Sequence, residues 1–157
     1  AFKDRENNGP LNTSRDYLAT PRITVPNNGQ LRFYARSGFL GNQGALYKIM
    51  VAPGTAAQND PAAYTMIEEY TEDELNAVFN VYEEKVVSLA AFEGQQVYVA
   101  FVIEFTQSNS PALAGERWLV DDVQIVEQCL DPTTLTASNI TQTSATLSWA
   151  NPGGASQ

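Results

Sequence analysis

Two adjacent carboxylates, Asp121 and Asp122, stand in the run "ERWLVDDVQIVEQC", which otherwise reads as a β-strand. A carboxylate pair can do acid–base work, can ligate a hard cation, or can leave one member in water. Neighbours on a strand point to opposite faces, so these two cannot flank one scissile bond as a glycosidase pair must. Strict alternation places Leu119, Asp121, Val123 and Ile125 on one face, and Trp118, Val120, Asp122, Gln124 and Val126 on the other. Asp121 is thereby expected on the more apolar face. An ionised carboxylate is costly there unless it is paired, well hydrogen-bonded or bound to a metal. Asp122 shares a mixed face with Gln124 and is expected to meet water.

The remaining inventory of reactive groups is short. The chain has no histidine, which removes Ser-His and Cys-His nucleophile pairs, His-ligated zinc, and the usual near-neutral acid–base group. Cys129 is the single cysteine. It supports neither a disulfide frame nor a thiolate cluster, and is read as an inert structural thiol at a domain edge. Glu68, Glu69, Glu72, Asp73 and Glu74 form an acidic cluster that is read as a solvated face. "GFLGNQG" is a glycine-rich loop without the lysine or the strand-to-helix setting of a phosphate loop. No catalytic residue emerges.

The elements that must position these groups are nearly all strands. The chain has 157 residues, 43% of them hydrophobic, enough for one domain with a core, or for a domain and part of a second. Leu31, Phe33 and Ala35 alternate with Gln30, Arg32, Tyr34 and Arg36, the period of a half-buried strand, and "PNNG" before them carries turn chemistry. "ALYKIMVAPG", "NVYEEKVVSL" and "GQQVYVAFVIEF" add further strands rich in Val, Tyr, Phe and Ile. Thr71 and Glu74 have the spacing of a capping box and predict one short helix. Many short strands with almost no helix predict an all-β fold, an antiparallel β-sandwich of the jelly-roll kind.

Beyond Cys129 the texture changes. "LDPTTLTASNITQTSATLSWANPGG" is rich in threonine and serine, with Leu147 and Trp149 on one face of a strand. A boundary is expected near Asp131, giving one domain over 1–129 and part of a second over 130–157. "AFKDRENNGP" shows neither a basic nor an apolar leader region, and "ANPGGASQ" stops within an element, so the chain is expected to be a piece of a longer protein. The 18 acidic residues outnumber 9 basic ones, which argues against a nucleic-acid partner. No apolar run is long enough to insert in a membrane as a helix.

Four stretches, "RDYLATPRITVPNNGQLRFYAR", "YKIMVAPGT", "VVSLAAFEGQQVYVAFV" and "WLVDDVQI", occur in the order seen in choice-of-anchor J, or cleaved-adhesin, domains. That family includes the haemagglutinin-adhesin domains attached to gingipain proteases, and recurs in large surface proteins of Bacteroidota. The resemblance spans Ser14 to Val126. "PTTLTASNITQTSATLSWANPGG" resembles the first two strands of a fibronectin type III domain, with Trp149 as its core tryptophan. The first resemblance implies a jelly roll. It also implies a structural calcium ion held in part by an aspartate of the last strand, which by position is Asp121. Hard cations take six to eight oxygen ligands, and the family's Asp/Gly-rich N-terminal loop supplies many of them. "AFKDRENNGPLNTS" does not match that loop, so an N-terminal strand and loop are expected to be missing. The alternative for Asp121 is a carboxylate that caps loop amides or pairs with Arg117 or Arg15.

The resemblance further implies a non-catalytic adhesive or ligand-binding module of a secreted, multidomain bacterial cell-surface protein. Its partners would be a glycan or a host or matrix protein, besides neighbouring domains of the same chain. Tyr34, Phe39 and Tyr64 are the candidate ligand contacts, since sugar rings stack on aromatic faces; the alternative for each is a place in the core. Two further readings stay open: a stalk or spacer without a ligand, and an accessory domain of a larger secreted hydrolase or protease.

Overall fold

The computed structural model describes residues 2–3, 9–107, 115–128 and 130–150. Cys129, and with it the structural-thiol reading, lies outside the described residues, as do positions 4–8 of the N-terminal stretch. In chain order the elements are β1 (Phe2–Lys3), β2 (Thr13–Ala19), β3 (Ile23–Thr24), β4 (Gly29–Ser37), β5 (Ala45–Pro53), β6 (Thr65–Tyr70), α1 (Glu72–Leu75), β7 (Glu83–Ser88), β8 (Gln96–Thr106), β9 (Trp118–Glu127), β10 (Thr133–Ser138) and β11 (Thr146–Ala150). One sheet has the order β1-β9-β4-β7 and the other the order β2-β8-β5-β6, with β3 also on β8. Every pairing is antiparallel, as the sequence pattern requires of a jelly-roll sandwich.

Local chemistry sets the joints. In "PNNG" the amide of Gly29 donates to the carbonyl of Pro26 (3.0 Å), and Asn28 takes the left-handed conformation at φ 46°. Asparagine tolerates that region better than other side chains. A Cβ on Gly29 would lie 2.5 Å from Val25, so only glycine lets β4 begin there. α1 is the expected short helix. Glu74 accepts from the backbone amide of Thr71 (2.9 Å) and from its hydroxyl (2.8 Å), and a four-residue turn depends on such a cap because it has too few hydrogen bonds of its own to offset nucleation.

The core lies between the sheets. From β4 come Leu31, Phe33 and Ala35, from β9 Trp118 and Val120; opposite them stand Tyr47, Ile49 and Val51 of β5 with Val97, Val99, Phe101 and Ile103 of β8. Four rings join the layers at edge-to-face angles: Phe33–Phe101 at 5.1 Å, Tyr47–Trp118 at 5.1 Å, Phe101–Trp118 at 5.6 Å and Phe33–Trp118 at 6.4 Å. Such contacts add about 0.5–1.5 kcal/mol per pair beyond area burial.

β10 and β11 form a separate hairpin in which Ala137 stands opposite Leu147. Its residues are exposed, with Trp149 at 51% and Leu147 at 56%.

Replacing Trp118 by Ala should cost about 3–5 kcal/mol in urea denaturation, because a buried ring leaves a cavity bounded by both sheets. Val86→Ala, on the exposed side of β7, should stay within about 0.5 kcal/mol. Equal losses from the two would contradict the assigned layers.

Candidate ligand-binding surfaces

The aspartate pair does not follow strict alternation. β9 pairs with β4 with Tyr34 opposite Asp121 and Arg32 opposite Gln124, and the register shifts between them. One extra residue of β9 is therefore accommodated as a bulge, where Asp122 is left-handed at φ 46°. Trp118 and Val120 before the bulge, and Ile125 after it, all turn to the core. Leu119, Asp121 and Gln124 take the outer side, opposite Arg36, Tyr34 and Arg32. The expected grouping of Asp121 with Ile125 on an apolar face is thus corrected: Asp121 is exposed, and its carboxylate carries no burial cost.

Side chains lock the bulge. Asp121 Oδ1 accepts from the amide of Asp122 (2.8 Å), and Asp122 Oδ1 accepts from Gln124 Nε2 (2.9 Å). Across the strand, Arg32 donates to Glu84 from Nε (2.8 Å) and from Nη2 (2.5 Å). Arg32, Phe33, Tyr34, Glu84, Asp122 and Gln124 line a surface hollow of about 240 Å³. Tyr34 is 39% exposed beside it. Asp121 has no salt bridge to Arg15, which pairs with Glu104 instead.

Among the described residues no group of three or more acidic, His or Cys side chains is placed to share a metal ion. Asp121 alone supplies a small part of the oxygens a calcium ion needs.

The other two aromatic candidates fall elsewhere. Phe39, half-buried in the glycine loop, has the Arg117 guanidinium 5.1 Å from its ring centre. Tyr64 is buried at 7% exposure on the outer side of the second sheet, against Ala52, Ala100 and Val102. Its ring meets Tyr17 at 5.8 Å and 54°. The structure therefore separates the three candidates onto three surfaces. Tyr17, half-buried on β2, is not among the sequence candidates; a single aromatic in the edge strand "TSRDYLA" is its sequence signal.

The acidic cluster is not uniformly solvated. Glu72 is only 5% exposed and accepts from the amides of Gln43 (2.6 Å) and Ala45 (2.8 Å). Glu116, 1% exposed, accepts through Oε1 from the amides of Gly38 (3.0 Å) and Arg117 (2.6 Å). Its Oε2, the Tyr47 hydroxyl and Trp118 Nε1 are buried without a partner among the described residues. Burial pushes both carboxyls above the usual range against the pull of their amide donors, and the charge of Glu72 raises Glu116 further. Nothing in the sequence distinguished Glu72 from its exposed neighbours, because the distinction comes from the loop packed on it.

Fold and sequence similarity together define an adhesin-like β-sandwich. The chain is 32% identical over 123 residues to Hemagglutinin A of Porphyromonas gingivalis, covering 70% of this chain and 4% of that protein. A Hemagglutinin A of strain W83 of the same organism is 32% identical over 99 residues, 55% of this chain and 4% of that protein. The chain thus spans about 4% of the length of the curated relatives it matches. Among solved structures, the K1 cleaved adhesin domain of Lys-gingipain from P. gingivalis W83 superposes with a TM-score of 0.54 at 22% identity, covering 81% of this chain and 73% of that one. That likeness carries the fold. No family model matches the chain. Among the described residues no helix is long and apolar enough to cross a membrane.

The buried carboxyls predict an unusual pH response. Both bind protons more tightly folded than unfolded, so their contribution to stability is fully present below the ordinary carboxylate value of 4.5 and is lost as pH rises through the raised folded values. Glu74, Glu83 and Glu104 are shifted the other way, and their contribution falls away only at and below the ordinary range. Urea midpoints should therefore increase as pH is lowered from about 7 to about 5. Glu116→Gln should flatten that rise; an unchanged slope in the variant would refute the assignment.

Proposed function

We propose that this chain is a non-catalytic adhesive module of a secreted, multidomain cell-surface protein. In this reading it binds a macromolecular partner, a glycan or a host or matrix protein, on the outer face of the β1-β9-β4-β7 sheet. The observation that carries it is Tyr34, exposed on an open sheet face beside planar polar groups already fixed in pairs, Arg32 with Glu84 and Asp122 with Gln124. An aromatic face gives contact area at low entropic cost, and pre-paired polar groups lose little freedom when a ligand arrives. The similarity to Hemagglutinin A, a protein named for agglutination, supports adhesion as the task.

One observation favours a spacer role alongside: the β10–β11 hairpin exposes Leu135 at 69% besides Leu147 and Trp149, a pattern suited to packing against a neighbouring domain of the same chain.

Glycan arrays and immobilised host and matrix proteins should capture the wild-type chain, and Tyr34→Ala should weaken that capture by about tenfold, or ~1.4 kcal/mol, with unchanged circular dichroism. Flat binding to every glycan and protein by the wild type would overturn the adhesive reading.

A further inference from the structure

The segment between β5 and β6 folds back over the outer side of the second sheet and makes a cleft there, on the sheet opposite to the one that carries Tyr34. The cleft has a volume of about 360 Å³ and is lined by Tyr17, Ala19, Gln58, Asn59, Pro61 and Tyr64. Small-molecule sites run from about 300 to 1,000 Å³, so this one has room for a single sugar ring rather than a folded partner segment.

Its walls are held in place. Gln58 Nε2 donates to the carbonyl of Thr20 at the end of β2 (2.8 Å), which ties the loop to the sheet and leaves the amide oxygen and a second N–H in reserve. The Tyr64 hydroxyl donates to the carbonyl of Gln58 (2.8 Å), fixing the ring from the other side. Asp60 accepts from the amide of Ala62 (3.0 Å) and caps the short turn Pro61–Ala63 between them. A site fixed in this way does not spend binding energy on ordering itself.

Its chemistry is selective. No carboxylate, ammonium or guanidinium is among the lining side chains, and the chain's net charge is −9. An anionic ligand would find no counter-charge in the cleft and a repulsive field around it, and a cation would find no carboxylate to pair with. What the cleft offers is the half-buried ring of Tyr17, the apolar surface of Ala19 and Pro61, and two side-chain amides, each able to donate and accept at once. A pyranose presents the complement: an apolar patch of C–H groups on its ring face, and vicinal hydroxyls at its rim that both donate and accept. We infer that the Tyr17–Tyr64 cleft is a second binding site of this module, taking one uncharged hexopyranose at the end of a glycan. Tyr17 supplies the stacking face, and Gln58 and Asn59 bond the ring hydroxyls. The inference rests on the reading of the chain as a binding module but not on the Tyr34 surface. Two sites on opposite sheets would let one module hold two ligands at once.

The test uses this chain with galactose, glucose, mannose and N-acetylglucosamine, their disaccharides, and sialylated disaccharides as probes, read by saturation-transfer NMR and calorimetry. At least one neutral sugar should bind, and the sialylated counterparts of a sugar that binds should be weaker by about tenfold or more. Tyr17→Ala and Asn59→Ala should each weaken the neutral sugar by about tenfold. Asn59 is exposed, so its variant keeps the test decisive if Tyr17→Ala loses stability in a thermal melt. Binding of no neutral sugar, preference for the sialylated probes, or indifference to both cleft substitutions would overturn the inference. In each of those cases capture of a macromolecule that is lost with Tyr34→Ala would leave the adhesive reading standing, and absence of any capture would remove both.

Discussion

The four rings of Phe33, Tyr47, Phe101 and Trp118 are the contact on which the two sheets depend. They come from β4, β5, β8 and β9, one from each of four strands and two from each layer, and meet edge to face at 5.1–6.4 Å. A buried ring of this size removes roughly 150–250 Å² from water, about 4–6 kcal/mol each before the entropy of ordering is subtracted. That term is large enough to fix which side of each strand faces inward. Once Phe33 is inward, Arg32 and Tyr34 must be outward; once Phe101 is inward, Ala100 and Val102 become the floor of the opposite outer surface. Both candidate binding surfaces are thus the reverse sides of strands pinned by the same cluster.

The bulge in β9 follows from that constraint. Trp118 and Val120 are held inward at one end of the strand and Ile125 at the other, and an odd number of positions separates Val120 from Ile125 only if one residue is not counted in the pleat. Asp122 absorbs the difference by turning left-handed. Aspartate tolerates this conformation because a short carboxylate can bond locally, as it does here with Gln124. The adjacent aspartates, which look like a chemical pair, are first of all the means by which a strand changes face.

A second constraint holds the glycine-rich loop. Glu72 and Glu116 reach it from α1 and from the approach to β9, and accept amides of Gly38, Gln43 and Ala45. Each carboxylate satisfies amides that the loop cannot pair with itself, at the cost of two like charges in a dry environment. The loop is ordered by the same groups whose burial makes the domain favour protons.

The sequence by itself determined the sandwich, the short helix and most of the strands, but not β2. The alternation around Leu31–Phe33–Ala35, the turn at "PNNG" and the Thr71–Glu74 cap are local physics, decided within a few residues of one another. It also determined what chemistry is missing, since a chain without histidine builds no histidine-based site. Tertiary structure decided everything that depends on counting across strands. Asp121 moved from an expected apolar face to an exposed one because register is set by distant core residues. Glu72 left the solvated cluster because the loop at Gln43 and Ala45, 29 and 27 residues earlier, packs on it. Tyr64 became a wall and Tyr17 its partner because β2 pairs with β8 and places its outer side under the β5–β6 segment. Periodicity reports only whether a residue points up or down within its own strand; which surface covers that side, and whether the count slips by one, is fixed by packing energies contributed from elsewhere in the chain.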